Sequence, residues 1–442
     1  MKITIIGAGY VGLVSGACFA EMGNTVTCLD ADEEKIRGLK EGIIPLYEPG
    51  LDRLIEQNAA AKRLYFTTDF PGAALSAEVI FICVGTPPTE GGGADISKVL
   101  EAANGIGRHV ERYTVVTTKS TVPVGTTAKA GEIIRRRISE RGAAVEIDMV
   151  HNPEFLKEGN AVSDFMGPDR VVVGAESERA RETMHRLYAP FLRNEDRVIF
   201  MSIPSSELTK YASNVMLATR ISLMNEIALL AEKVGADIES VRQGIARDKR
   251  IGKYFLYTGA GYGGSCFPKD ISSLIHTGKE NLIDLKIPQA VNEVNRRQKQ
   301  VIAEKVLRFF RGDVHGKRIA VWGLAFKPET DDVREAPAIE TVRILRDRGA
   351  LLALHDPKAL DNARKVLGDE SLAFHSDNYE ALADADALIV MTEWKEYRSP
   401  DWNQVHNLMR GKVVFDGRNL YEPGEMKGCG FRYFGIGHGE TI

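Results

Sequence analysis

At 442 residues and a formal net charge of −4, the chain is too long for one ordinary core and offers no electrostatic case for a nucleic-acid or anionic-membrane partner. Its apolar and charged fractions are those of a globular protein, and no apolar run approaches the roughly 20 residues that a membrane span needs. Five scattered cysteines (Cys18, Cys28, Cys83, Cys266, Cys429) and the lack of a signal-peptide pattern argue for a reducing cytoplasm rather than a disulfide framework.

Residues 1–200 alternate short apolar runs with helical stretches, which predicts a mostly parallel, doubly wound α/β sheet. Strands are expected at Ile3–Ile6, Thr25–Leu29, Val79–Val84, Thr114–Lys119, Val145–Val150 and Arg170–Val173. Gly7-Ala8-Gly9-Tyr10-Val11-Gly12 follows the first strand and opens a helix. Such glycines permit a tight turn and close approach of a pyrophosphate to the helix N-terminus. Asp30 ends the second strand, where a carboxylate suits the ribose hydroxyls of NAD and repels the 2′-phosphate of NADP. Lys35 follows near the adenosine edge. Two further strands run into Val84–Pro88 and Ser120–Thr126 at the same sheet edge. Thr86 and Thr121 are therefore candidate site hydroxyls, and equally candidate turn and cap residues.

His151–Gly159 closes the next strand. Glu154 and Glu158 stand four apart, and each is a candidate general base or water-positioning carboxylate, or else a solvated surface acid. Residues 205–235 read as one long helix with apolar residues on more than one face, which implies burial on several sides and room for a subunit contact. Lys210 and Asn214 share one face of it, and both are suited to an oxyanion or an attacking water. The alternative for Lys210 is a solvent-facing helix lysine.

Gly261-Tyr262-Gly263-Gly264-Ser265-Cys266-Phe267-Pro268-Lys269-Asp270 is the segment richest in chemistry. Its glycines let backbone approach a bound group, and Cys266 is a candidate nucleophile beside a lysine. The alternative is a small buried cysteine. A second α/β pattern begins at Lys317, with strands expected at Lys317–Trp322, Ala353–His355, Ala387–Met391 and Lys412–Phe415. Its turn, Gly323–Lys327, lacks the full glycine triplet. The tail Gly435–Ile442 reads as mobile.

Together, Gly7–Gly12, Ser120–Thr126, Asn152–Gly159, Leu208–Asn214 and Gly261–Asp270 resemble the UDP-glucose/GDP-mannose dehydrogenase family, in order and over nearly the whole chain. The resemblance implies an NAD-binding Rossmann-like domain at 1–200, a central helical, dimerising and catalytic segment at 201–300, and a UDP-sugar-binding Rossmann-like domain at 301–442. It implies a four-electron oxidation of UDP-glucose to UDP-glucuronate with two NAD⁺, through a Cys266 thiohemiacetal and thioester. It further implies that Lys210 stabilises oxyanion character and that Asn214 and Asp270 hold the sugar and the hydrolytic water. Glu154 matches the acid/base glutamate acting with Thr121. Gly7, Gly9, Tyr10, Val11, Gly12, Asp30, Lys35, Thr86, Glu158, Lys269 and Arg334 fall on the cofactor side. Phe155, Leu156, Lys157, the loop Phe255-Leu256-Tyr257-Thr258-Gly259, Gly263 and Lys327 fall on the substrate side. A homodimer or higher homo-oligomer is expected, with no metal. The same chemistry on GDP-mannose or a UDP-N-acetylhexosamine, or a non-catalytic NAD-binding protein, are the competing readings.

Overall fold

A computed structural model describes residues 1–192, 197–368 and 371–441. The chain divides into two compact units, Met1–Ser213 with His276–Leu282, and Asn214–Ile275 with the chain from Ile283 onward.

The first unit is built on an eight-stranded sheet: β1 (Lys2–Ile6), β2 (Thr25–Leu29), β3 (Leu64–Thr67), β4 (Val79–Ile82), β5 (Thr114–Thr118), β6 (Ile147–His151), β7 (Val171–Ala175) and β8 (Val198–Met201), in the order β3-β2-β1-β4-β5-β6-β7-β8. Pairing is parallel except for β6 against β7. Helices cover both faces, so β4 and β5 are buried along their whole length and read as unbroken apolar or Thr/Val runs. Two clusters fill those faces, one around Phe19, Phe81 and Phe165 and one around Ile80, Ile106 and Ile134.

In the second unit, β9 (Arg318–Trp322), β10 (Leu351–His355), β11 (Leu372–His375), β12 (Ala387–Val390), β13 (Val413–Asp416) and β14 (Arg432–Phe434) form an all-parallel sheet in the order β11-β10-β9-β12-β13-β14. Strand order reverses at β1/β4 in the first sheet and at β9/β12 in the second, and ligands of such sheets bind outside the carboxyl ends of strands at that switch point.

The long helix runs Ile203–Val234. Tyr211, Val215, Ala218, Met224, Ala228 and Ala231 are buried within the chain, whereas Leu208, Met216, Leu223 and Leu230 are exposed on the single chain. The tail departs from expectation. Gly435, Ile436 and Gly437 are buried, because Ile436 N donates to Asn419 Oδ1 (2.8 Å), Gly437 N donates to Glu232 Oε1 (2.8 Å), and Gly437 O accepts from Ile238 N (3.1 Å). Ile442 lies outside the described residues. Cys18, Cys28 and Cys83 are buried and unpaired by disulfides. Among the described residues no helix is long and apolar enough to cross a membrane, and no cluster of three metal-ligating side chains occurs.

Candidate active site

The glycine turn lies at the end of β1. Gly7 has φ +103° and donates its N–H to Leu29 O at 2.7 Å; a Cβ there would meet Cys83 O at 2.8 Å. A Cβ on Gly12 would stand 1.8 Å from Gly7 O. Packing thus demands both residues. Gly9 differs: it is exposed, and a Cβ would meet nothing within 4 Å. Its absence of a side chain serves no contact within the chain and fits a pyrophosphate lying against the turn. Tyr10 and Val11 open the helix Tyr10–Glu21.

Asp30 Oδ2 accepts from Ala8 N (2.8 Å) and from Lys35 Nζ (3.1 Å), and Oδ1 accepts from Asp32 N (3.0 Å). Burial alone would raise its carboxyl, but these N–H and ammonium donors outweigh burial and hold it below the usual carboxylate range. Lys35 is thereby committed to the acid itself. A residue that sequence reasoning passed over ties this turn to the 152–160 loop. Glu48 is buried, receives the hydroxyl of Tyr10, and accepts from Gly159 N (2.6 Å) and Ala161 N (2.8 Å). Burial, Glu48 and the charge of Glu158 all push the Tyr10 hydroxyl well above its ordinary value.

Thr86 and Thr121 meet directly: the Thr86 hydroxyl donates to Thr121 O at 2.8 Å. Ser120 Oγ donates to Val84 O at 2.6 Å, fixing the two strand ends together. Glu154 and Lys210 are not surface residues; both are buried. Lys210 Nζ donates to Glu154 Oε1 (2.9 Å) and to Glu154 O (2.7 Å), while Glu154 Oε2 accepts from Leu156 N (2.6 Å). Burial would raise the Glu154 carboxyl, yet Lys210 and the Leu156 N–H hold it lowered. Phe155 lies under the guanidinium of Arg170, 3.8 Å from its centroid. Lys157 is exposed and pairs with Asp164 at 3.2 Å. Glu158 is half-buried.

Within the second unit, Cys266 immediately precedes the helix Phe267–Glu280 and is half-exposed. A helix N-terminus favours negative charge within its first turn. The Ser265 hydroxyl lies 3.6 Å from its sulfur. One turn on, the buried Asp270 accepts from Asn214 Nδ2 (2.6 Å) and from Lys269 Nζ (2.7 Å). Lys269, read from sequence as a neighbour of the thiol, is thus paired with Asp270. Lys210 and Asn214 share the long helix one turn apart.

The glycines of this loop are pressed against the C-terminal sheet's turns. A Cβ on Gly263 would reach Glu335 O at 2.4 Å, and Gly264, at φ +82°, faces the ring of Phe326. Gly264 N donates to Arg334 O (2.8 Å), and Arg334 itself is exposed and forked onto Asp332. In the loop before, Phe255 adopts φ +59°, Leu256 is buried, Tyr257 is exposed, and Thr258 accepts from Asn419 Nδ2 (3.1 Å). Gly259 donates to Asn225 Oδ1 (3.0 Å) and accepts from Gln298 Nε2 (2.7 Å). Lys327 is half-buried, its ammonium 5.4 Å from the Phe326 centroid. Arg418, absent from the sequence reading, donates to Met391 O and Phe326 O, each at 2.8 Å, from just past β13.

The second sheet repeats the first turn with a different outcome. Gly323 N donates to His355 O at 2.8 Å, as Gly7 does to Leu29. Asp356 then takes the N–H groups of Leu324 (2.7 Å) and Ala325 (3.0 Å) and the Trp394 indole (3.1 Å), and is 1% exposed. That carboxylate is more deeply buried than Asp30, whose side chain is 15% exposed.

Known proteins match along nearly the whole chain. Models of the UDP-glucose/GDP-mannose dehydrogenase family match residues 1–192 (NAD binding domain), 204–297 (central domain) and 320–423 (UDP binding domain). The chain is 46% identical to a UDP-glucose 6-dehydrogenase of Pseudomonas aeruginosa over 441 residues, covering 99% of this chain and 97% of the relative. It is 47% identical to a UDP-glucose 6-dehydrogenase of Rhizobium meliloti, covering 99% of each. A UDP-glucose dehydrogenase structure from Pyrobaculum islandicum superposes with TM-score 0.89 at 37% identity, covering 99% of this chain and 98% of that one. With three family models and full-length relatives in agreement, the chain belongs to the UDP-glucose/GDP-mannose dehydrogenase family and is an NAD-dependent oxidoreductase with a small-molecule substrate.

Proposed function

We propose that this protein oxidises UDP-glucose to UDP-glucuronate through a covalent adduct on Cys266. The observation that carries the reading is the placing of Cys266 at a helix N-terminus, half-exposed, in a glycine loop clamped by Glu335 and Phe326. When bound, NAD⁺ accepts a hydride from the sugar's C6, twice per turnover. Glu154 takes the alcohol proton, with Thr121 relaying it through water. The Cys266 thiolate adds to the aldehyde carbon, and Lys210 stabilises the resulting alkoxide of the thiohemiacetal. After the second oxidation the carbon is a thioester. Asn214 and Asp270 hold the water that cleaves it, releasing carboxylate and thiol. Gly7, Gly9, Gly12, Asp30, Thr86, Glu158, Lys269 and Arg334 serve the cofactor. Phe155, Leu156, Phe255–Gly259, Gly263 and Lys327 serve the nucleotide sugar. We assign the enzyme to the cytoplasm.

Purified protein given UDP-glucose and NAD⁺ should form two NADH per UDP-glucuronate. One NADH per product, or turnover of GDP-mannose or a UDP-N-acetylhexosamine in preference to UDP-glucose, would sink this reading.

The same proposal includes a dimer through the long helix. Met216, Leu223 and Leu230 recur every seven residues and are 63%, 54% and 61% exposed, the narrow spacing of a helix–helix seam. Leu223→Glu should convert the dimer to monomer in sedimentation; a wild-type chain that sediments as a monomer refutes it.

A further inference from the structure

Lys119 is a buried cation that the proposed chemistry does not use. It follows β5 and is 3% exposed. Its ammonium donates to Asn152 Oδ1 (3.0 Å) and lies 3.3 Å from the Tyr188 hydroxyl, which donates to the same Asn152 oxygen at 2.5 Å. Both lone pairs of that amide oxygen are therefore filled. Asn152 is tied on its other sides as well: its N–H donates to Thr118 O (3.0 Å) and its Nδ2 to Val172 O (2.8 Å). Only Pro153, with its fixed φ, separates Asn152 from Glu154. The rings of Phe81, Phe165 and Tyr188 surround the ammonium at 5.6–6.0 Å from their centroids. Lys119, Asn152, Glu154, Phe155, Arg170 and Tyr188 line one cavity of about 180 Å³.

We propose that Lys119 is a positioning residue: it locks the Asn152–Glu154 turn through Asn152 and places a second buried positive charge on the cavity that Glu154 lines. The inference rests on the reading of Glu154 as the group that takes the substrate proton. A lysine taken out of water among three aromatic rings is costly unless its charge is used. Burial pulls the Lys119 ammonium down to about 8, while the nearby Cys83 and Glu154 raise it. The influence is mutual, since Lys119 is among the groups that hold Glu154 down. The titratable groups around the pair come from every neighbouring element: Cys83 after β4, His151 at the end of β6, Tyr188 on the helix Glu178–Tyr188, and Lys210 on the long helix. Lys157, Asp164, Asp169 and Arg170 line the same cavity.

Lys119→Met, Lys119→Arg and Tyr188→Phe separate charge from scaffold. In Lys119→Met the acid limb of the pH profile of kcat/KM should move up by roughly one unit, the KM for UDP-glucose changing less than twofold. Lys119→Arg should return the limb toward its wild-type position, and Tyr188→Phe, which keeps the cation, should leave it in place. Thermal unfolding gives a readout that needs no turnover. Glu154 has a lowered carboxyl in the fold, so its contribution is present above its unfolded value and is lost as pH falls through its folded value. Lys119→Met should move that loss to higher pH, and should move nothing in a Glu154→Gln background. If the protein oxidises no nucleotide sugar, the function proposed above fails while the unfolding curves still decide this point. A folded Lys119→Met whose acid limb and acid unfolding both coincide with wild type overturns the proposal.

Discussion

Cys266→Ala should lower UDP-glucuronate formation by roughly 10³-fold or more, as loss of a covalent nucleophile does. The fold should survive, because the thiol is half-exposed at a helix start. What distinguishes this variant from a merely weakened enzyme is where the sequence stops. The first hydride transfer does not need the sulfur, so the variant should still convert an alcohol to an aldehyde slowly. The aldehyde then has no thiol to capture it, and the NADH formed should exceed twice the acid released. Mass spectrometry of quenched protein should find an acyl adduct on the wild-type chain and none on Cys266→Ala. Cys266→Ser keeps an oxygen nucleophile, and its ester should hydrolyse far more slowly than a thioester, so the adduct should accumulate. Full turnover by Cys266→Ala would remove the covalent step altogether.

Lys210→Met should cost about 3 kcal/mol of stability at neutral pH, in addition to abolishing measurable turnover. The reason is the burial of its partner: the Lys210 and Glu154 side chains are 4% and 8% exposed and 2.9 Å apart. Removing the ammonium leaves a carboxylate in a low-dielectric site, and such a group takes up a proton rather than stay charged. The pH dependence follows in sign. In the wild type Glu154 is held lowered, so the pair stabilises the fold above the ordinary carboxylate value and this contribution disappears as pH falls through the lowered one. In Lys210→Met, burial is opposed by the Leu156 N–H and Lys119 but no longer by Lys210, and Glu154 protonates at higher pH than in the wild type. Urea unfolding should therefore show the variant's deficit shrinking as pH is lowered from 7 toward 4. Adding Glu154→Gln should recover part of the loss, since a neutral amide tolerates the site better than a lone carboxylate. Equal deficits at all pH values, or no recovery in the double variant, would show that the two side chains are not coupled.

How much of this could be read from sequence depended on whether a residue's surroundings lie near it in the chain. The inner strands announced themselves, because a strand buried on both faces must be a continuous apolar or β-branched run. The strands that escaped were β3, β8, β11 and β14, the four that close the two sheets. Edge strands are short and partly exposed, as the burial of Leu64–Thr67 and Val198–Met201 shows; Val198–Met201 is as apolar as β4, but a run of four residues does not by itself distinguish a strand from a piece of helix. In the site, the glycine turn and Cys266 stood out as candidates because residue type and local spacing point to a task. Lys210 and Glu154 were legible as candidates only, since composition gives a helix lysine and a loop glutamate as solvated. Glu48 left no signal: its acceptor role depends on Gly159, 111 residues away. Glu207 is a similar case. It sits on a helix like any exposed acid, yet it is fully buried and caps another helix through Gly125 N (2.7 Å) and Thr127 N (2.9 Å). The tail was misjudged for the same reason. Glycines suggested freedom, but Glu232 receives the amide of Gly437 and Asn419 that of Ile436.

The sealed position of Asp356 has a consequence for a chain that carries the same turn twice. Two copies of one nucleotide-gripping device invite a dinucleotide to lodge in the wrong half. Here the C-terminal copy comes with its anion already installed: a carboxylate supplied by the protein saturates the amides of Leu324 and Ala325 and is itself capped by an indole. Asp356, 1% exposed, leaves the second turn without an accessible carboxylate of the kind that Asp30, with 15% of its side chain exposed, presents at the first.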